Sequence, residues 1–246
     1  MNPDYKLISD ITKEYRDMFK VIQYRNPLVI NKNIDHTPRD TRIAPAEDNI
    51  QRSVRRTKSV IKDYVLNNDF DLFVTFTFDP RKVDRYDFSA CSAKMQGYIN
   101  RLSRYARSNN INFRYIIVPE FHKDGAIHFH ALIGDFPKTI KKTKVIQNGR
   151  LVYNIPGYRF GFTNAQKIKS DDKKSIGDLF GYLTKYITKD MPLIFNRRRY
   201  WCSRNLVKPK IYHNQSVFLG LVNKLTDKNQ EYENAYATIY RVPKFE

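Results

Sequence analysis

The sequence has few cysteines and lacks the common nucleotide-binding loops, and these absences exclude several classes of protein. Its 246 residues include only Cys91 and Cys202, too few for a disulfide framework or a thiolate zinc site. No GxxxxGK[ST] or GxGxxG segment occurs, so none of the known phosphate-cradling loops is expected. No apolar run approaches the roughly 20 residues of a membrane helix, and the charged first residues lack the apolar stretch of a signal peptide. We expect a protein of the reducing cytoplasm with no membrane partner.

Acidic residues are scarce, because 25 of them stand against 44 lysines and arginines and leave a formal net charge of +19. This surplus indicates a polyanionic partner, for which nucleic acid is the default. Basic residues cluster in 51–62, 138–150 and 197–210. Charges that follow phosphates and rings that stack on bases are typical of single-strand binding. The candidate DNA contacts are Lys141, Lys142, Arg197, Arg198, Arg199, Tyr200, Trp201 and Arg204. In the alternative interpretation, Trp201 belongs to the core and the arginines are solvated.

The middle of the chain alternates between strand and helix patterns. A period of two with β-branched and aromatic residues predicts a strand over 72–78, and apolar residues at helical spacing predict a helix over 88–107. Further elements are expected as strands over 113–121, 126–133 and 160–165, an irregular basic excursion over 137–156, and a second helix over about 172–190. This order predicts an α+β fold, in which an antiparallel sheet of the ferredoxin-like kind has helices packed on it.

Two of the five histidines form a His128-Phe129-His130 pattern on a predicted strand. Residues i and i+2 of a strand point to the same face, so the two imidazoles are neighbours. A hairpin turn at Asp124-Gly125 places Glu120 opposite His128. Glu120, His128 and His130 would suit a divalent cation, magnesium or manganese before zinc. His122 is a rival ligand, and the alternative is an ordinary strand face with two solvated histidines.

The predicted second helix carries two tyrosines and two lysines on one face. Tyr182, Lys185, Tyr186 and Lys189 are spaced at i, i+3, i+4 and i+7. Tyrosine is an available oxygen nucleophile, weak at its free pKa of about 10, and a nearby lysine makes attack by tyrosinate more feasible. In the alternative interpretation, the tyrosines only pack at the edge of a helix.

Together these motifs resemble the HUH endonucleases, and more narrowly the rolling-circle replication initiators of small single-stranded DNA phages and plasmids. The resemblance is carried by the Phe-Thr-Phe-Thr-Phe strand, by Pro119-Glu120 followed by Gly125–Leu132, and by the YxxKYxxK helix. It implies that Glu120, His128 and His130 hold Mg²⁺ or Mn²⁺. It also implies that Thr75 and Thr77 support the floor of the site, that Tyr182 and Tyr186 are two alternating nucleophiles, and that Lys185 and Lys189 steady the phosphate.

The resemblance further implies an activity. Such an enzyme nicks single-stranded or locally opened origin DNA, forms a 5′-phosphotyrosine link, frees a 3′-hydroxyl primer and later rejoins the strand. A host helicase and DNA polymerase in a bacterial cytoplasm would be its partners. The expected regions are a basic N-terminal extension (1–65), an HUH endonuclease core (66–195) and a basic C-terminal extension that packs on the core (196–246). The alternatives are an HUH transposase or relaxase, and a non-catalytic basic module that binds nucleic acid.

Overall fold

A computed structural model describes residues 5–31, 46–147, 149–168, 181, 183–184 and 199–244. In chain order the elements are β1 (Tyr5–Glu14), β2 (Met18–Asn31), α1 (Ala46–Asn67), β3 (Leu72–Phe78), α2 (Phe88–Ser108), β4 (Arg114–Phe121), β5 (Ile127–Gly134), β6 (Lys141–Gln147), β7 (Arg150–Asn154), β8 (Gly161–Lys167), β9 (Trp201–Cys202), β10 (Lys210–His213), β11 (Gln230–Glu233) and β12 (Ala237–Pro243). None of the described helices is long and apolar enough to cross a membrane. The chain divides into two compact units.

The larger unit, residues 46–206, is built on a seven-stranded sheet in the order β6-β7-β8-β3-β5-β4-β9. The paired strands that the structure describes are antiparallel, and helices pack on the sheet, so the predicted α+β class is confirmed. The predicted strands and first helix are present within one or two residues of their expected ends. The excursion over 137–156 differs from its expectation, because it contains the hairpin β6–β7, which lengthens one side of the sheet.

One face of this sheet forms the main hydrophobic core against α2. Alternate residues of β3 and β5, among them Phe76 and Phe129, are fully buried on this face. The helix begins where Asp87 accepts hydrogen bonds from the backbone N–H groups of Ser89 and Ala90, at 2.8 and 3.1 Å, which satisfies two otherwise unpaired donors. This packing fixes which face β5 turns to the core and leaves His128 and His130 on the other.

The opposite face of the sheet is covered only in part. Ile61, Tyr64 and Val65, spaced at i, i+3 and i+4 along α1, pack in a second buried cluster with the face formed by Phe73, Ile116, Val118 and Leu132. Leu183, fully buried, belongs to the same cluster. We call this the histidine face, because it also carries His128 and His130. Its apolar half lies under α1, and its polar half begins where these apolar residues end.

The two ends of the chain form the smaller unit, residues 1–45 and 207–246. It contains a five-stranded sheet in the order β10-β1-β2-β12-β11, with a small core that includes Val21, Leu221 and Val242. These boundaries differ from the expected N-terminal and C-terminal extensions. The ends pair with each other through β1 and β10, and α1 joins the larger unit because its apolar stripe is buried there.

Candidate functional site

The candidate metal ligands lie on adjacent strands of the histidine face. Glu120 of β4 is the direct cross-strand partner of His128 in β5, which confirms the pairing predicted from the Asp-Gly turn. Thr77 of β3 faces His128 from the other side, and Thr75 faces His130. Because cross-strand partners point to the same face, five predicted site residues form one polar patch.

His130 is held by a hydrogen bond on each ring nitrogen. Its Nε2 lies 2.6 Å from Oε2 of Glu120, and its Nδ1 lies 3.1 Å from the hydroxyl of Thr75. The ring stacks at 5.9 Å on Phe73, and its side chain is only 5% exposed. When Nε2–H donates to the carboxylate, Nδ1 of the neutral ring accepts from the threonine hydroxyl. The orientation of this imidazole is therefore set by packing and by two polar partners.

His128 lies closer to solvent and beside a further histidine. Its ring stacks on that of His122 with centroids 5.1 Å apart. His122 also contacts the carboxylate of Asp124 at 3.2 Å. The pKa of His128 is lowered, first by burial and then by the nearby charges of His122 and His130, against the opposing effect of Glu120. A lowered pKa favours the neutral imidazole, which is the form that binds metal. His122, the rival ligand, thus lies next to the candidate set.

The donor set fits a divalent cation in its chemistry and in one of its distances. Adjacent ligands at right angles around a magnesium-like ion, each at about 2.1 Å, are about 3 Å apart, close to the 2.6 Å between Glu120 and His130. Within the described residues, however, no three His, Cys, Asp or Glu side chains converge into a ready-made metal site. The sheet therefore presents the carboxylate and the imidazoles together on one face, with His130 paired to Glu120.

The predicted nucleophile helix falls mostly outside the described residues. Tyr182, Lys185, Tyr186 and Lys189 all lie outside them, so their expected roles stay predictions. The described residues of that segment are Gly181, Leu183 and Thr184, and each is helical. Leu183 packs against the apolar half of the histidine face. The part of this segment that the structure describes therefore lies on the same face as Glu120 and the two histidines.

The candidate DNA contacts are spread over the sheet. Lys141 and Lys142 are exposed on the edge strand β6, and β9 forms the opposite edge. Six strand spacings of about 4.8 Å separate these edges, about 29 Å in all. Arg197 and Arg198 lie outside the described residues. The two basic regions therefore cannot be parts of one compact pocket.

The candidates near β9 have different surroundings. Arg199 is buried, and burial lowers the pKa of its guanidinium. Tyr200 packs on the cluster of the histidine face, whereas Trp201 stacks at 5.2 Å on Phe129 in the main core, as in the alternative interpretation. Exposed Arg204 lines a cavity of about 530 Å³ beside the end of α2.

Two features of this site were not anticipated from the sequence. Thr75 makes a specific contact with His130, although the resemblance implied only a general supporting role. Helix α1 covers the apolar half of the histidine face, although its basic residues favoured a solvated appendage. The i, i+3, i+4 spacing of Ile61, Tyr64 and Val65 is the signal that would have identified its buried stripe.

Comparison with known proteins gives one match. Residues 71–191, just under half of the chain, match the family model for the replication-associated protein ORF2. The matched segment runs from β3 through β8 and includes the histidine face and the YxxKYxxK motif. It is thus similar to a rolling-circle replication-associated family, which implies an interaction with DNA. No curated protein and no solved structure matches the chain.

Proposed function

We propose that this protein is a replication initiator that nicks single-stranded or locally opened origin DNA through a tyrosine and later rejoins the strand. The observation that carries the proposal is the cross-strand set of Glu120, His128 and His130 on the face where Leu183 packs. The match over residues 71–191 supports the same activity. Host helicase and polymerase would then open and extend the DNA.

Each residue of the set has a proposed task. Glu120, His128 and His130 would hold Mg²⁺ or Mn²⁺, which supplies Lewis-acid polarisation of a phosphate when bound. The oxygen of Tyr182 or Tyr186 loses its proton and bonds to phosphorus, and the bond from phosphorus to the 3′ oxygen breaks. The products are a 5′-phosphotyrosine and a free 3′-hydroxyl. Lys185 and Lys189 would offset the charge on the phosphate.

The distribution of charge supports a DNA substrate for the larger unit. Residues 46–206 contain 30 basic and 15 acidic residues, so this unit holds +15 of the net +19. A strongly basic surface raises the local concentration of a polyanion and speeds its association. We expect binding to weaken steeply as salt is raised, because phosphate contacts release counterions.

The test is cleavage of a labelled pool of single-stranded oligonucleotides in Mn²⁺, resolved on a denaturing gel. Wild type is compared with Tyr182→Phe, Tyr186→Phe and the double variant. A protease-sensitive covalent adduct that disappears only in the double variant supports two acting tyrosines. Loss in one single variant identifies one nucleophile. An adduct that persists in the double variant would refute the assignment of these tyrosines.

A non-catalytic module that binds nucleic acid is the second candidate. It is favoured by one observation, namely that no three potential ligands converge among the described residues. The same gel separates the two functions, because a binding module retains the oligonucleotide without forming an adduct in any metal. A transposase or relaxase shares the cleavage chemistry and differs in the DNA ends that it joins.

A further inference from the structure

We propose that Phe162 is a platform on which a DNA base stacks beside the phosphate bound at the histidine face. The inference rests on the proposed function for the position of that phosphate. It adds a substrate-binding residue, and with it a contact to the bases of a single strand as well as to its backbone.

Phe162 lies in the same row of the sheet as the candidate ligands. It is the cross-strand partner of Thr77, Thr77 is the partner of His128, and His128 is the partner of Glu120. The row therefore runs Phe162, Thr77, His128 and Glu120 across four neighbouring strands on one face. Two strand spacings, about 10 Å, separate Phe162 from His128. That distance is short enough for a base that flanks a phosphate bound at the histidines.

The ring of Phe162 is 67% exposed, whereas the neighbouring rows of the same face are buried under α1 and Leu183. An exposed phenylalanine in the polar half of the face contributes little to the core. In a strongly basic unit, such a ring beside phosphate-binding groups has the composition of a single-strand site, in which rings stack bases and charges follow the backbone.

The backbone beside this ring is held in place. A Cβ added to Gly161 would lie 2.1 Å from the carbonyl oxygen of Thr77 and 2.6 Å from the backbone nitrogen of Asp79. Only glycine allows β8 to approach β3 so closely. The close approach fixes the register of Phe162 against Thr77, so the ring is presented from a rigid strand and its stacking costs little ordering.

The experiment compares two ligands that differ only in their bases. Fluorescence anisotropy measures the affinity for oligothymidylate and for an abasic strand of the same length, in the Tyr182→Phe/Tyr186→Phe background, which prevents covalent capture. Phe162→Ala removes the ring, and Phe162→Trp retains one. Tyr105→Ala is the matched control, because Tyr105 is 44% exposed on α2, which packs on the other face. The thermal midpoint of each variant checks that it is folded.

We expect Phe162→Ala to weaken binding of oligothymidylate by about 5- to 100-fold, the equivalent of one lost stacking contact, and to leave binding of the abasic strand unchanged. Phe162→Trp should retain the preference for bases, and Tyr105→Ala should match the parent protein. Equal weakening of both ligands, or no change in either, would overturn the inference. A preference for bases that depends on Phe162 in a protein that never cleaves would support this site and refute the nickase. Failure of the parent protein to bind either strand would refute both.

Discussion

Replacing Thr75 by valine tests whether this residue positions His130. Valine has the shape of threonine and lacks its hydroxyl, so the change removes the 3.1 Å hydrogen bond to Nδ1 without opening a large cavity. The imidazole cannot recover the bond from solvent, because its side chain is only 5% exposed. If a cation replaces the proton on Nε2, the proton of the neutral ring moves to Nδ1 and donates to the hydroxyl of Thr75. A hydroxyl can act in both senses, and a methyl group can act in neither.

The magnitude follows from the burial of the ring. A buried polar atom left without a partner costs about 1–3 kcal/mol, which lowers the thermal midpoint of a unit of this size by roughly 2–10 °C. Removing the group that orients a metal-binding histidine reduces metal affinity by about 10- to 100-fold. We therefore expect Thr75→Val to lower both the midpoint and the affinity for Mn²⁺.

Calorimetric titration with Mn²⁺ and thermal unfolding without metal measure the two effects separately. Thr75→Ser retains the hydroxyl and should restore most of the affinity, whereas Thr77→Val alters the hydroxyl opposite His128 and should leave the midpoint closer to wild type. If Thr75→Val binds Mn²⁺ as tightly as wild type, or if Thr75→Ser binds as weakly as Thr75→Val, the positioning role is refuted.

Three further predictions concern the frame of the site. Ile61→Ala should lower the free energy of unfolding by about 2–5 kcal/mol in a denaturant titration, because Ile61 is fully buried under the histidine face. Gly161→Ala should cost about 1–3 kcal/mol in the same titration, since its methyl group would clash with the backbone of Thr77; an unchanged midpoint would contradict that close approach. Arg81 hydrogen-bonds Asp79 and lowers the pKa of that carboxyl from 3.8 to about 2. Its stabilisation is complete above pH 3.8 and is lost as the pH falls towards 2, so the stability gap between wild type and Asp79→Asn should close over that interval.

The parts of the fold that were predictable from sequence are those determined by contacts close in the chain. The alternation in β3 and the Asp-Gly turn between β4 and β5 depend on neighbouring residues, and together they place Glu120 opposite His128. The terminal sheet depends on contacts that no local pattern encodes. Ile11 of β1 pairs with His213 of β10, and a strand pattern does not identify a partner two hundred residues away.

Aromatic residues illustrate the same limit within the site. Trp201 and Phe162 are both aromatic residues near basic segments, and composition alone favoured Trp201 as the ring that meets DNA. The structure stacks Trp201 on Phe129 in the core and leaves Phe162 exposed in the row of the candidate ligands. Which side of a strand is covered depends on tertiary packing, so neighbouring sequence could not rank these two rings.

The division of the histidine face into two halves gives the site its chemistry. The apolar half, under Ile61 and Leu183, excludes water from one side of His130 and so strengthens its hydrogen bond to Glu120. The polar half leaves His128 and Phe162 accessible to a ligand. A tyrosine carried close to Leu183 would approach the phosphate from the apolar side, while the DNA lies along the open side. Covering one half of a single sheet face thus allows a rigid, partly dry ligand set and an accessible strand-binding surface to meet along one row of residues.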